Sequence, residues 1–414
     1  MTKPSVFISN LFLYNQPMSP LIKILNTHKY LLAILFFTFL AYANTLTADF
    51  VWDDHSFITE WPLIQEFEIE QLLAGAQPEL HQGVYRPIRN ILYAISYQFY
   101  GSNPFWYHLQ AVTLHLFITF SLYQLINRLT SNQTLSLLTT LIFGLHPIHT
   151  EAVAWITTSF DIFGILFLLI SFNTFLTSYT KTSFFFAFLA FFTYEMTLVF
   201  PLLIMLYLIL LKHQPLKKTI IQTKPIWIIF ALYWVMRFSV IGSFGRETQL
   251  LDSQSQKILL ILQIIAKYIW LLIWPLNLNI NHHLSVNIPA LFFLDHNPAT
   301  TIFIPLFHPL ILLSIFTLIT VILTIYFSYR RNPLLAYSLS WLIISLLPVS
   351  QLIPQPIIFA EKYAYLASIG FSLTAALIIL KICNSQKYFH KLKVVVMISI
   401  VISTSLALRT FTRN

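Results

Sequence analysis

Acidic residues are scarce in this chain: 15 Asp and Glu in 414 residues, with charged residues of both signs making up only 9%. Water-soluble domains carry about 25% charged residues, so that class is excluded. Cysteine occurs once, at Cys383, which rules out an intramolecular disulfide and a Cys-based metal cluster. Glycine occurs only eight times, so close helix packing through Gly-x-x-x-Gly is not the organising theme. We read no internal repeat, no low-complexity linker and no appended soluble domain. What is abundant is apolar: 57% of residues are hydrophobic, with 38 Phe, and the mean hydropathy is +0.73. The chain reads as one polytopic, all-α membrane domain over 1–414. Its net charge of +9 collects in short loops. That pattern fits cytoplasmic loop bias and not nucleic-acid binding.

Residues 1–27 read as a cytoplasmic tail with Lys3 and Lys23, and the first span runs from Tyr30 to Leu46. A retained anchor is expected; the small-x-small run Ala41-Tyr42-Ala43 makes a cleavable signal peptide the competing reading. Residues 47–104 form a long, comparatively polar first outer loop. Within it, Gln65 to Ala74 and Ile88 to Tyr100 are expected as short interfacial helices. Further spans fall at 105–127, 134–154, 160–178, 183–194, 197–211, 226–242, 257–275, 301–327, 333–349, 363–382 and 392–408. Residues 183–211 read either as two helices broken at Thr193-Tyr194-Glu195 or as one, and 257–275 crosses fully or partly. Arg128, Lys181, the Lys212–Lys224 cluster, Arg330-Arg331 and the Lys381–Lys393 cluster mark the cytoplasmic side. The 47–104 loop, the His146–Asp161 region and the 277–300 and 350–362 loops then face the other way. Parity requires one segment to be re-entrant or fused, leaving about 11 spans.

Placed on that map, the unusual polar residues collect at one side. Asp53 and Asp54 lead the outer loop, in Phe50-Val51-Trp52-Asp53-Asp54-His55; Tyr85-Arg86-Pro87 and Arg89 close it. Adjacent carboxylates at a membrane exit repel and resist desolvation, so they suggest a function. One can act as a general base while its neighbour positions a partner or a metal. His146, Pro147, His149 and Glu151 end the third span, and Asp161 opens the fourth. His146 and His149 stand one helical turn apart, and with Glu151 they are weak candidates for a divalent metal; a hydrogen-bonded, metal-free cluster or substrate positioning is the favoured reading. Glu195, Arg237, Glu361 and Lys362 complete the set. Arg86, Arg89, Arg237 and Lys362 are candidate phosphate contacts; the plain alternatives are interfacial snorkelling or local ion pairs.

The order of these motifs resembles the transmembrane part of the tetratricopeptide-repeat protein O-mannosyltransferases and their bacterial relatives. The matching runs are Phe50–Asp54, Tyr85-Arg86-Pro87-Ile88, Asn103-Pro104-Phe105-Trp106-Tyr107-His108-Leu109, His146–Trp155, Asp161 and Glu361–Phe371, over roughly residues 30–380. The resemblance implies a GT-C-like bundle that takes a sugar, a mannose-like hexose, from a polyprenyl-phosphate carrier on the outer face. It implies that Asp53, supported by Asp54, is the base. His146, His149, Glu151 and Asp161 would line the same cavity. The chain departs from the pattern in four places. Thr158-Ser159-Phe160 precede Asp161 where a basic residue is usual; Tyr194-Glu195 stands for Lys-Glu; Lys362 stands where Arg is common, and Ala367 where Pro is common. The repeats are not read here, which leaves the acceptor open among protein, lipid and glycan. The expectation is an inverting glycosyltransferase of a bacterial inner membrane with its site facing the periplasm. No cofactor is implied beyond a candidate divalent metal, the partners are donor, acceptor and membrane lipids, and no nucleic acid is involved. A transporter or flippase for lipid-linked sugars and a non-catalytic GT-C-like subunit are the alternatives.

Overall fold

The computed structural model describes residues 27–78, 84–242, 254–276, 278–279, 283–285, 288–289, 306–352, 357–384 and 406–412. Helix α1 (Thr27–Tyr42) tightens into a 3-10 turn at Ala43–Thr47 and leads to the long loop. The loop holds two short helices, α2 (Pro62–Gln65) and α3 (Ile69–Leu73), and the longer amphipathic α4 (Pro87–Tyr100). The bundle continues with α5 (Pro104–Thr130) and α6 (Gln133–Gly144). Two short helices, α7 (Thr150–Ala154) and α8 (Ile156–Ser159), lead into α9 (Asp161–Leu176) and α10 (Thr180–Thr193). After a 3-10 turn at Glu195–Val199 come α11 (Phe200–Leu206), α12 (Leu216–Ile241) and α13 (Gln254–Ile273). Last are α14 (Pro309–Arg331), α15 (Pro333–Leu346) and α16 (Ala367–Asn384). The strand content among the described residues is one short antiparallel pair, His283–Ser285 with Ile288–Pro289.

Among the described residues, six helical segments are long and apolar enough to cross a membrane: 29–47, 104–130, 156–176, 216–241, 254–273 and 309–331. Five shorter apolar helices of 10–17 residues accompany them. Local chemistry sets several boundaries. Asn103, Asn132 and Asn332 each cap the helix that follows, accepting from the backbone N–H of Phe105, Leu135 and Leu335. Pro104, Pro309 and Pro333 start helices where a missing N–H costs nothing. Ser131, at φ 51°, turns the chain tightly from α5 into α6, so these helices pack antiparallel.

Several expected boundaries shift. The span placed at 134–154 ends as a helix at Gly144. Pro147 cannot continue it, and His146 caps a 3-10 turn (Pro147–His149) by accepting from the N–H of Ile148. The 183–211 stretch is two helices, parted where Tyr194 is extended. The single loop helix expected over Gln65–Ala74 is two, because Phe67 takes a left-handed φ of 57° between them. The 1–27 tail lies outside the described residues except for Thr27, as do most of 277–300 and all but the end of 392–408.

Two apolar cores result. The larger one runs through the bundle, from Tyr42 and Ile118 to Trp341 and Leu377. The smaller one belongs to the outer loop: Phe50, Phe57, Ile58, Trp61, Ile64 and Leu72 pack on Tyr93, Tyr107, Ile156 and Phe160. The loop is therefore a folded cap with its own core. By contrast, α12 and α14 leave broad apolar faces outward, with Ile228, Val235, Phe316 and Ile322 exposed, as lipid-facing helices do.

The few glycines include one that sets a helix crossing. A Cβ at Gly370 would stand 2.5 Å from Ser338 O and 2.6 Å from Leu342 N, both backbone atoms of α15. Gly370→Ala is expected to force α15 and α16 apart and cost about 1–3 kcal/mol. A lowered midpoint of thermal unfolding in detergent checks this.

Candidate active site

The two adjacent acids have separate environments. Asp54 is fully buried. Its Oδ2 accepts from Val51 N–H (3.1 Å), and its Oδ1 accepts from Thr157 N–H (2.7 Å) and from the Thr157 hydroxyl. Burial pushes the Asp54 carboxyl above its ordinary value, against the hydrogen bonds from Thr157 and Val51 that lower it. Thr157 is a hub, because its carbonyl also accepts from the Tyr93 hydroxyl at 2.8 Å. Asp54 thus ties the start of the loop to the tip of α8. Asp53, one residue earlier, is half-buried and stays within reach of the surface.

Arg86 is the second tie. It caps α4 and is buried. Its Nε and Nη2 donate to the two oxygens of Glu195 (2.5 and 2.6 Å), and its Nη1 donates to both oxygens of Asp161 (2.7 and 2.9 Å). Burial alone would lower the Arg86 pKa, but the carboxylates of Asp161 and Glu195 hold it well above its ordinary value. The Tyr194 ring lies 5.1 Å from the guanidinium. Arg89 adds a bond to Asp161 Oδ1 (3.1 Å) and one to Gln77 (3.3 Å), with the Phe57 and Tyr93 rings against it. Two cations therefore face two carboxylates from two bundle segments. Arg86, expected as a phosphate contact, has all three of its nitrogens engaged by acids.

The histidines form a different kind of cluster. The two sit on a 3-10 turn and not on a common α-helix, with ring centroids 6.0 Å apart. His146 Nδ1 accepts from Ile148 N–H, so its Nε2 donates to Leu272 O on α13 (3.0 Å). The Ser368 hydroxyl donates to Tyr365 O, so His149 Nε2 donates to Ser368 Oγ (2.7 Å). His115 joins them from α5: its Nδ1 meets the Tyr365 hydroxyl (2.6 Å) and its Nε2 meets Gly144 O (3.1 Å). These hydrogen-bonded core histidines clip the turn to α13 and α16, while His115 ties α5 to Gly144 and Tyr365. Glu151, the other weak metal candidate, bonds elsewhere. Among the described residues no group of three or more His, Cys, Asp and Glu side chains is arranged to hold a metal ion.

Glu151 is buried and its Oε2 accepts from the backbone N–H of Lys362 at 3.1 Å. Burial pushes its carboxyl up, while the Lys362 charge pulls it down. Glu361 is buried beside it. Arg237 is buried on α12, its guanidinium 6.0 Å from the Trp234 ring and its charge acting on Glu195. The charges of Arg86, Glu195, Asp161 and Glu151 all act on the Tyr363 phenol, so these groups share one end of the bundle. Thr157, Gln77, Tyr93 and His115 were not singled out from the sequence. The i, i+7 spacing of His108 and His115 was the available hint, since it puts both on one side of α5.

The fold and site define a helical membrane protein whose first loop is a folded cap, pinned to the bundle by buried ions. Over about a third of its length the chain is similar to protein O-mannosyl-transferases. It is 35% identical over 139 residues to protein O-mannosyl-transferase tmtc2 of Xenopus laevis, covering 32% of this chain and 17% of that protein. It is 30% identical over 142 residues to TMTC1 of Homo sapiens (32% and 16%) and 28% identical over 148 residues to TMTC3 of Mus musculus (34% and 16%), both protein O-mannosyl-transferases. The matched stretch thus spans about one sixth of the length of these curated relatives. No family profile matches the chain, and no solved structure matches it.

Two outcomes are expected. Arg86→Met strands two buried carboxylates and should cost about 3–5 kcal/mol, in part restored by adding Asp161→Asn. Asp54→Ala leaves the N–H groups of Val51 and Thr157 without their acceptor and should cost about 1–3 kcal/mol, whereas Asp53→Ala, at a more accessible position, should cost less. Thermal unfolding of the purified variants measures both.

Proposed function

We propose that the protein is a membrane glycosyltransferase. In this reading it moves a hexose, mannose-like, from a polyprenyl-phosphate carrier to an acceptor hydroxyl, with inversion at the anomeric carbon. The observation that carries the reading is the division within the acid pair. Asp54 is consumed by structure, and Asp53 is held half-exposed beside it on a cap that cannot drift. A general base needs that combination of access and fixed position. The similarity to protein O-mannosyl-transferases supports the reaction class.

In the reaction, Asp53 takes the proton of the acceptor hydroxyl as its oxygen bonds to the anomeric carbon. The bond from that carbon to the phosphate oxygen breaks, and its electron pair leaves with the polyprenyl phosphate. The lipid tail lies against the apolar outer faces of the bundle. The bundle is GT-C-like, with about 11 spans, and the site faces the periplasmic side of a bacterial inner membrane. A protein, lipid or glycan hydroxyl serves as acceptor.

Comparison of cell-envelope glycans with and without the gene tests the function. Complementation with wild type should restore a hexose-bearing product, and Asp53→Asn should lower its rate of formation by about 10²–10⁴-fold. Full activity in an Asp53→Asn, Asp54→Asn double variant would sink the assignment of the base.

A further inference from the structure

The cations at this end of the bundle are unequally committed. Arg86 spends its three nitrogens on Asp161 and Glu195, and Arg89 donates to Asp161 and Gln77. Among the described residues, the ammonium of Lys362 has no carboxylate within ion-pair distance. It lies instead on the face of the Trp155 indole, 4.4 Å from the ring centroid, with the Tyr363 ring at 5.8 Å. Glu151 acts as a positioning residue, since its Oε2 holds the Lys362 main chain. The Lys362 side chain is half-buried, so a ligand can reach it.

A second indole continues this shelf. Trp52 meets Trp155 edge-on, with centroids 5.3 Å apart and an interplanar angle of 73°. Trp52 is 55% exposed. Its backbone φ of 46° is left-handed, which for a bulky residue costs about 1–3 kcal/mol and persists only where the surroundings impose it. They do so here. Val51 N–H donates to Asp54, Asp54 N–H donates to Val51 O, and His55 N–H donates to Trp52 O. The strain holds a large aromatic face outward, one residue before Asp53.

We infer that the Trp52–Trp155–Lys362 shelf seats the head group of the donor: the Lys362 ammonium takes the phosphate, and the Trp52 indole takes the face of the sugar. This rests on the donor reading proposed above. An ammonium suits a phosphate as a compact point charge, and an indole offers a rigid apolar face to the C–H side of a hexose. The shelf puts the anomeric carbon between the phosphate at Lys362 and the carboxylate of Asp53. Charge that builds on the departing phosphate meets an ammonium that no acid among the described residues neutralises by contact.

Equilibrium dialysis of the full chain in detergent, against radiolabelled farnesyl phosphate and farnesyl phosphate mannose, tests the inference. Lys362→Met should weaken both probes about tenfold or more, and Lys362→Arg should bind both nearly as wild type, which separates charge from misfolding. Trp52→Leu should leave farnesyl phosphate unchanged and weaken the mannosylated probe about three- to tenfold. Equal binding by Lys362→Met and wild type would overturn the shelf while the donor reading stands. The shelf falls equally if Lys362→Arg loses as much as Lys362→Met, or if Trp52→Leu weakens both probes alike, as a membrane anchor would. A wild-type protein that binds neither probe would overturn the donor reading and the shelf together.

Discussion

One buried ion cluster organises this end of the molecule. A guanidinium in a low-dielectric setting must be matched by acids, and acids there must be matched by cations. Arg86 meets that requirement with one carboxylate at the start of α9 and another at the turn before α11. Because the arginine sits at the head of α4, the match also fixes where the outer loop lands. Arg89 tightens it, and through Gln77 and Asn90 the cluster reaches back to the chain around Ala76. The loop's small core then has a surface to fold against.

Asp54 provides the second fixed point, 103 residues from Thr157 in sequence. Between the two ties the described parts of the chain from Phe50 to Tyr93 form a cap whose core packs on Ile156 and Phe160. The histidine turn pins the same connection from below, through Leu272 and Ser368. The proposed function rests on which groups these bonds leave accessible. Asp53 and Lys362 keep access to the surface, each beside a tryptophan of the same shelf, while the acids and arginines around them carry the structure.

Much of the architecture was legible in the chain. Hydropathy located the apolar helices that fall on described residues, six of them long enough to cross a membrane, and the loop helix expected over Ile88 to Tyr100 is α4. The break at Tyr194 and the end of α6 at Gly144 were only half legible. The first was one of two open readings, and the second depends on a capping bond from His146 that no hydropathy value records. The site was legible as a set of residues and not as a set of roles. Arg86 is a candidate phosphate contact in the sequence, and its acid partners, 75 and 109 residues away, are not readable locally. Nothing local distinguishes Asp53 from Asp54; only the fold, by burying one against Thr157, does. Glycine count says nothing of single crossings: Gly370 sits directly against the α15 backbone, a contact that no Gly-x-x-x-Gly spacing marks.

The most direct measurement is release of polyprenyl phosphate from a synthetic polyprenyl-phosphate hexose by the purified full chain, with water or added hydroxyl compounds as acceptor. Following the phosphate product makes the result independent of the acceptor's identity. The account predicts measurable release by wild type, with loss of it in Asp53→Asn at unchanged thermal stability. No release by a folded wild-type protein, or equal release by Asp53→Asn, would contradict it.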